Sequence, residues 1–366
     1  MSDPISPDLR RRIAQSLLKN NLQLRSGERV IIEAWPHTLP YAVALAREVR
    51  RMGAFPLVPY EDEAGYWDAV DDGEFEVLGK AAAHEWAALM RSNVYIHMWG
   101  PGDRVRLGRL PPKKAGRLFA FNDAWYRAAR AAGLRGLRLE LGRPHPALAK
   151  AYDVDLDRWT EQVARATLVN PDALRPGLAR IGRALSRGRD VRIRHPNGTD
   201  LHLRLSGAAP RPASGRPVVG DPKRPFDLLA NVPAGAIRVA LDTAVADGTI
   251  VANRTCYYED GTATGGVFRF RNGQLTSAEF ESGQARFDAG YKVGGKGRDR
   301  PGMLGIGLNP ALRDTPQLED VERGAIMVSV GGNRILGGRN PSGFFGWVMN
   351  AGGTLEIDGK PLAIGA

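Results

Sequence analysis

The chain has 366 residues, enough for about two domains of ordinary size with an ample buried core. Hydrophobic residues at 43% and charged residues at 25% fit a soluble globular protein, and no apolar run approaches the roughly 18 residues of a membrane span. A formal net charge of +11 raises nucleic acid as a partner. However, the arginines are scattered ("RRRIAQ", "AREVRRMG", "RALSRGRDVRIRH") and no helix-turn-helix, zinc-finger or aromatic–basic RNA-binding pattern accompanies them. The excess charge reads as an Arg-rich solvated surface, with attraction for acidic small molecules or an acidic peptide as the alternative. One cysteine, Cys256, excludes an intrachain disulfide framework. The opening "MSDPISPDLRRRIAQ" lacks the apolar segment of a signal peptide, so a cytoplasmic location is expected.

In chain order, "LRRRIAQSLLKNN" places Leu9, Ile13, Leu17 and Leu18 at helical spacing. "RVIIEAW" is the short apolar run of a buried parallel strand, and "LPYAVALAREVRRM" a helix closed by Gly53. "FPLVPY" follows as a strand, then "EVLGKAAAHEWAALMRS" as a helix and "NVYIHMW" as a strand. "NDAWYRAARAAG" and "LRLEL" make a further helix and strand, and "LDRWTEQVARATLV" predicts a long helix. This alternation predicts a mainly parallel sheet covered by helices, an α/β domain over residues 1–170.

Residues 171–366 read as a β-rich α+β domain. "DVRIRHPNGTDLHLRL" is a hairpin with Asn197-Gly198 at its turn, and "AIRVALD", "GTIVANRTCYY", "GGVFRFRNGQLTSAEFE" and "GAIMVSVGG" continue as strands. "SGAAPRPASGRPVVGDPKRP" reads as a loop from its Pro, Gly and Ser content.

Five stretches in order carry a resemblance. "LLKNNLQLRSGERVIIEAWPHTLPYAVALAREVRRMGAFPLV", the Gly198–Leu201 signature of the hairpin, "NVPAGAIRVALDTAVADGTIVANRT", "GMLGIGLNP" and "LEDVERGAIMVSVGG" make the chain similar, over nearly its length, to the aminopeptidase T family of metallopeptidases. That resemblance implies the family's fold, a homodimer paired through the C-terminal half, and two metal ions held by carboxylates and imidazoles. At the matching positions this sequence differs. A Glu is replaced by Ala236, the Glu of the glycine-rich stretch by Met303, and the His of the next strand by Met327. The family Tyr seven residues on matches Arg334, and the closing His-x-Asp matches Phe345 and Trp347. No His follows His202 anywhere in the chain.

A divalent ion needs several deprotonated O, N or S ligands converging within about 2.0–2.3 Å, and Ala, Met, Phe and Trp do not supply them. Methionine thioethers suit only soft Cu(I), and Met303 and Met327 read instead as adaptable apolar packing. No metal and no cofactor are therefore expected. Elsewhere, His195 and His202 flank the hairpin turn but alternate to opposite faces. Cys256 reads as a small buried residue. Asp320 and Glu322 form either an acid pair or a solvated turn, and "GGKGRDRPG" is only a loose glycine-rich anion cradle. No residue is singled out as catalytic.

What remains is a cleft of apolar and polar side chains: Met303, Met327, Phe345 and Trp347 with Arg334, Arg339 and Asn340 beside Asn333. Phe345 and Trp347 either line that cleft or fill it. The expected function is a non-hydrolytic, metal-free protein that binds a peptide or modified peptide, as an accessory to tailoring enzymes in ribosomal natural-product biosynthesis. Two alternatives stand beside it: a metal-independent enzyme acting on a small amino or aromatic compound, and a structural subunit paired with an active paralogue.

Overall fold

A computed structural model describes residues 5–365, which form two compact units. The first comprises the chain up to Pro171 together with Gly215–Pro233; the second comprises Asp172–Ser214 and the residues from Ala234 onward.

The first unit is an α/β fold around a five-stranded, wholly parallel sheet. Its strands run in the order Phe55–Leu57, Arg29–Ile32, Val94–Met98, Arg135–Leu139, Leu229–Val232. The predicted helices are present. Helix Pro7–Ser16 starts at Ser6, whose side chain accepts from Leu9 N–H at 3.2 Å, with Pro7 preset for the first turn. It packs against Leu39–Arg51, which buries Tyr41, Ala42, Leu45, Ala46 and Val49 at helical spacing. The stretch "EVLGKAAAHEWAALMRS", expected as one helix, is two, Phe75–Leu78 and Ala83–Met90. The break falls at Gly79, where a Cβ would lie 2.2 Å from the Arg117 carbonyl, and the second helix restarts with Glu85 accepting from Ala82 N–H at 2.5 Å. Helix Leu156–Thr167 is capped by Asp155 and buries Trp159 fully.

The second unit opens with helix Pro171–Arg187, which the sequence reading did not anticipate. Leu174, Leu178, Ile181 and Leu185 bury one face of it, but Pro176 interrupts the pattern on the page. The unit is otherwise a large antiparallel sheet. From one edge run Phe345–Ala351, Ala325–Gly331, Pro301–Gly307, Ala236–Val251, Thr199–Leu205, Asp190–His195 and Thr354–Ile357. The predicted hairpin turns at Asn197-Gly198, with Gly198 at φ +96°, a conformation only glycine adopts without strain. "AIRVALD" and "GTIVANRT", read as separate strands, belong to a single 16-residue strand, Ala236–Val251. The intervening Asp242–Gly248 resembles a turn in composition. In the fold the strand instead changes partners there, from Pro301–Gly307 to Val267–Arg271, and Gly248 lets it pass where a Cβ would meet the Asp200 carbonyl.

Within the predicted loop "SGAAPRPASGRPVVGDPKRP", Arg211–Ala213 pairs with the long strand. Just past that loop, Leu229–Val232 supplies the fifth strand of the first unit's sheet.

Candidate functional site

Strand register decides which side chains meet in the second unit. Met303 lies opposite Ala240, Arg238 opposite Gly305, Gly305 opposite Met327, and Met327 opposite Met349. Two residues along, Ser329 faces Trp347 and Gly331 faces Phe345. Side chains alternate along strands, so Ala236, Met303, Met327, Met349, Trp347 and Phe345 share one face of the sheet. The opposite face carries Leu304, Ile306, Ile326, Val328 and Val348, all fully buried. The glycine-rich stretch thereby has a physical role: a Cβ at Gly305 would sit 3.0 Å from the terminal methyl of Met327, so the thioether chain lies where a larger neighbour would stand.

On that face Met303, Met327 and Met349 pack with Ala240, Cys256, Ala263 and Leu336 into one apolar cluster, with Tyr258 and Trp347 against it. Trp347 lies 4.7 Å from the Tyr258 ring and 5.3 Å from Phe345, centroid to centroid. Phe345, 38% exposed, carries the cluster to the surface. The Cys256 thiol donates to the Trp347 carbonyl at 3.4 Å, and burial pushes its pKa well up, holding it protonated.

The loop after Ala325–Gly331 is built on two buried asparagines. Asn333 donates to the carbonyls of Leu241 (3.1 Å) and Gly302 (3.0 Å) and accepts from Asn340 N–H at 2.9 Å. Asn340 in turn donates to Gly297 O, ahead of strand Pro301–Gly307, and accepts from Ser342 N–H, so its amide is engaged by backbone. Arg334 and Arg339 stand exposed on the same loop.

The acidic segment is neither an acid pair nor a solvated turn. Asp320 bonds Arg238 through two guanidinium nitrogens, and Glu322 accepts from Arg254 at 3.1 Å and from Asp314 N–H at 2.6 Å. Glu319 between Leu318 and Asp320 is the distinctive group. It is 5% exposed, its Oε1 receives a long 3.5 Å bond from Tyr257 N–H, its own backbone N–H and the Trp347 side chain also approach the carboxyl, and its Oε2 has no hydrogen-bond partner among the described residues. Burial pushes its pKa up to about 8, with the neighbouring Asp320 charge adding to the effect. Its composition context, a polar turn, gave no signal of this.

The histidines of the hairpin do not meet: His202 lies across from Arg192 and pairs with Asp190, whereas His195 lies at the turn and accepts from Asn197 N–H.

The donor set on this face does not fit a divalent metal. Thioethers, an indole, a phenyl ring and a protonated thiol offer no charged oxygen or imidazole, and no three His, Cys, Asp or Glu side chains converge as ligands among the described residues. After incubation with zinc, cobalt and manganese, elemental analysis is expected to find less than about 0.1 metal per chain; near-stoichiometric, tightly held metal would mean that ligands are recruited from outside this face.

No curated protein matches the chain significantly. Among solved structures, wild-type AmpT from Thermus thermophilus superimposes with a TM-score of 0.72 at 19% identity, covering 98% of each chain. The 2,5-dihydroxypyridine dioxygenase of Pseudomonas putida KT2440 gives 0.63 at 14% identity, covering 99% of this chain and 97% of that one. At these identities the likeness is one of fold. The profile of the thermophilic metalloproteases (M29) matches residues 8–291, ending ahead of Met303, Met327, Phe345 and Trp347. With the aminopeptidase T fold spanning both units and that profile matching most of the length, the chain belongs to the M29 family.

Proposed function

We propose that this M29 member has exchanged metal-dependent hydrolysis for binding, and holds a peptide or modified peptide on the face described above. The observation that carries the reading is the exchange itself: of the positions matching the family's ligands, Ala236, Met303 and Met327 are buried in apolar packing, Trp347 lies against that cluster, and Phe345 brings an aromatic ring from it to the surface. The exposed Phe345 offers an apolar anchor, and the exposed Arg334 and Arg339 of the loop after Ala325–Gly331 offer two cations for a carboxylate. The net charge of +11 favours an acidic peptide, such as the leader of a ribosomal natural product presented to tailoring enzymes. The homodimer implied by the resemblance belongs to the same proposal.

The test is a titration followed by tryptophan fluorescence, using an acidic, aromatic-containing peptide and a basic peptide of equal length. Saturable binding of the acidic peptide without cleavage is expected, weakened about tenfold or more when Arg334 and Arg339 are both replaced by Ala. Equal binding of both peptides, or hydrolysis, would overturn it.

One observation favours a second reading, metal-independent catalysis on a small amino or aromatic compound. A buried carboxyl with a pKa of about 8, as at Glu319, can deliver or take a proton near neutral pH. Turnover abolished by Glu319→Gln would establish it in place of the first.

A further inference from the structure

The first unit holds a separate concentration of polar chemistry that the metallopeptidase fold does not explain. In its sheet, Arg29–Ile32 has the strand that follows it in sequence, Phe55–Leu57, on one side and Val94–Met98 on the other. The connections therefore diverge, which makes this the switch point of the sheet, where open parallel sheets hold ligands in the crevice outside the carboxyl ends of their strands. Glu33 follows the first of them, His97 and Trp99 end the second, and Arg138 comes from the next strand, directly opposite His97.

Charge is unevenly satisfied there. The Glu33 carboxylate is saturated: it receives His97 Nδ1 at 2.5 Å, the Tyr95 hydroxyl, and Met98 N–H at 3.2 Å. Burial alone would raise its pKa, but these partners, His97 foremost, outweigh that and keep it below the usual carboxylate range. Arg143, 3.8 Å from the centre of the Trp99 ring, is paired with Glu140 at 3.0 Å. Arg138, 5.6 Å from the same ring, has a different environment: its Nη2 donates to the Tyr126 hydroxyl at 2.5 Å, and no carboxylate among the described residues pairs with it.

Its Nε–H is buried without an acceptor, and so is the indole N–H of Trp99. Both groups can only donate, so what each lacks is a lone pair. A half-buried guanidinium without a counter-ion also lacks a negative charge. One kind of partner answers both deficits.

We propose that this crevice is a binding site for a small oxyanion, a carboxylate or phosphate group, held by Arg138 and the Trp99 N–H beside the Glu33–His97 pair. A guanidinium offers such groups charge-assisted hydrogen bonds, and the indole adds a neutral donor. The site lies wholly within the first unit, so it stands whatever the second unit binds.

Calorimetric titration of the full-length protein with inorganic phosphate and, separately, with benzoate at constant ionic strength tests this and separates the two sources of the anion. At least one is expected to bind saturably at one site per chain, about tenfold or more weaker in Arg138→Gln. Trp99→Phe keeps the ring and removes only the N–H, so it serves should loss of Arg138 disturb folding; it is expected to weaken binding several-fold. Failure of both anions to saturate by ~10 mM, or undiminished binding by the variants, would overturn the proposal.

Discussion

Glu319→Gln is expected to stabilise the protein at pH 8 and to leave its stability nearly unchanged at pH 4. In the folded chain this carboxyl titrates at about 8, against an ordinary value of 4.5 when unfolded. Below pH 4.5 both states hold the proton and burial carries no penalty. Between the two values the unfolded state releases its proton while the folded state keeps it, so stability falls by about 1.4 kcal/mol per pH unit as pH rises. The loss is complete above about pH 8, where it is of the order of 3–5 kcal/mol. Glutamine carries no titrating proton, and its amide N–H stands in for the donor of a protonated carboxyl. Urea midpoints at several pH values are the check: the variant's advantage should grow through this window and then level off. An advantage that does not change between pH 5 and pH 9 would show that Glu319 is ionised in the fold. A residue so costly at neutral pH fits the general pattern in which functional groups are kept at the expense of stability.

Asn333→Ala should be among the most damaging single changes in the second unit. The side chain is fully buried and makes three bonds, to Leu241 O, Gly302 O and Asn340 N–H, which join the loop to two neighbouring strands. Alanine leaves three buried polar groups without partners, each worth about 1–3 kcal/mol, so a loss of about 3 kcal/mol or more is expected. The effect should be local as well as global. Asn340, deprived of its partner, would release the segment bearing Arg334 and Arg339, and amide exchange at Asn340 should accelerate more than in the distant hairpin at Asn197. A loss below about 1 kcal/mol with unchanged exchange would show that water replaces the asparagine without cost.

Much of this was legible in the sequence because it rests on periodicity. Ile13, Leu17 and Leu45, Val49 repeat at helical spacing, and Val30–Ile32 and Val94–Met98 are apolar runs bounded by polar ends, so the parallel sheet followed directly. The alternation of "AIMVSVG" likewise placed Met327 on a strand, whereas the glycine density of "GMLGIG" suggests a loop and hides the strand Pro301–Gly307 that carries Met303. Three features left no such trace. Leu229–Val232 is four residues long beside a Pro- and Gly-rich segment, too short for a period to show. Pro176 disguises helix Pro171–Arg187. Glu319 sits among polar neighbours and is buried only because Tyr257 and Trp347, distant in sequence, close over it. The grouping of Glu33, His97, Trp99 and Arg138 was similarly hidden, since they come from the ends of three different strands.

The threading of residues 215–233 back into the first unit bears on how the protein is made. A nascent chain that has emerged only as far as Pro171 has four of the five strands, and Arg135–Leu139 remains an unpaired edge until Val232 leaves the ribosome. By then Asp172–Ser214, belonging to the other unit, has already emerged. The first unit can therefore be completed only after a segment of the second has been made, unlike separate beads on a chain. Expression of the first 171 residues alone leaves out the strand that completes the sheet.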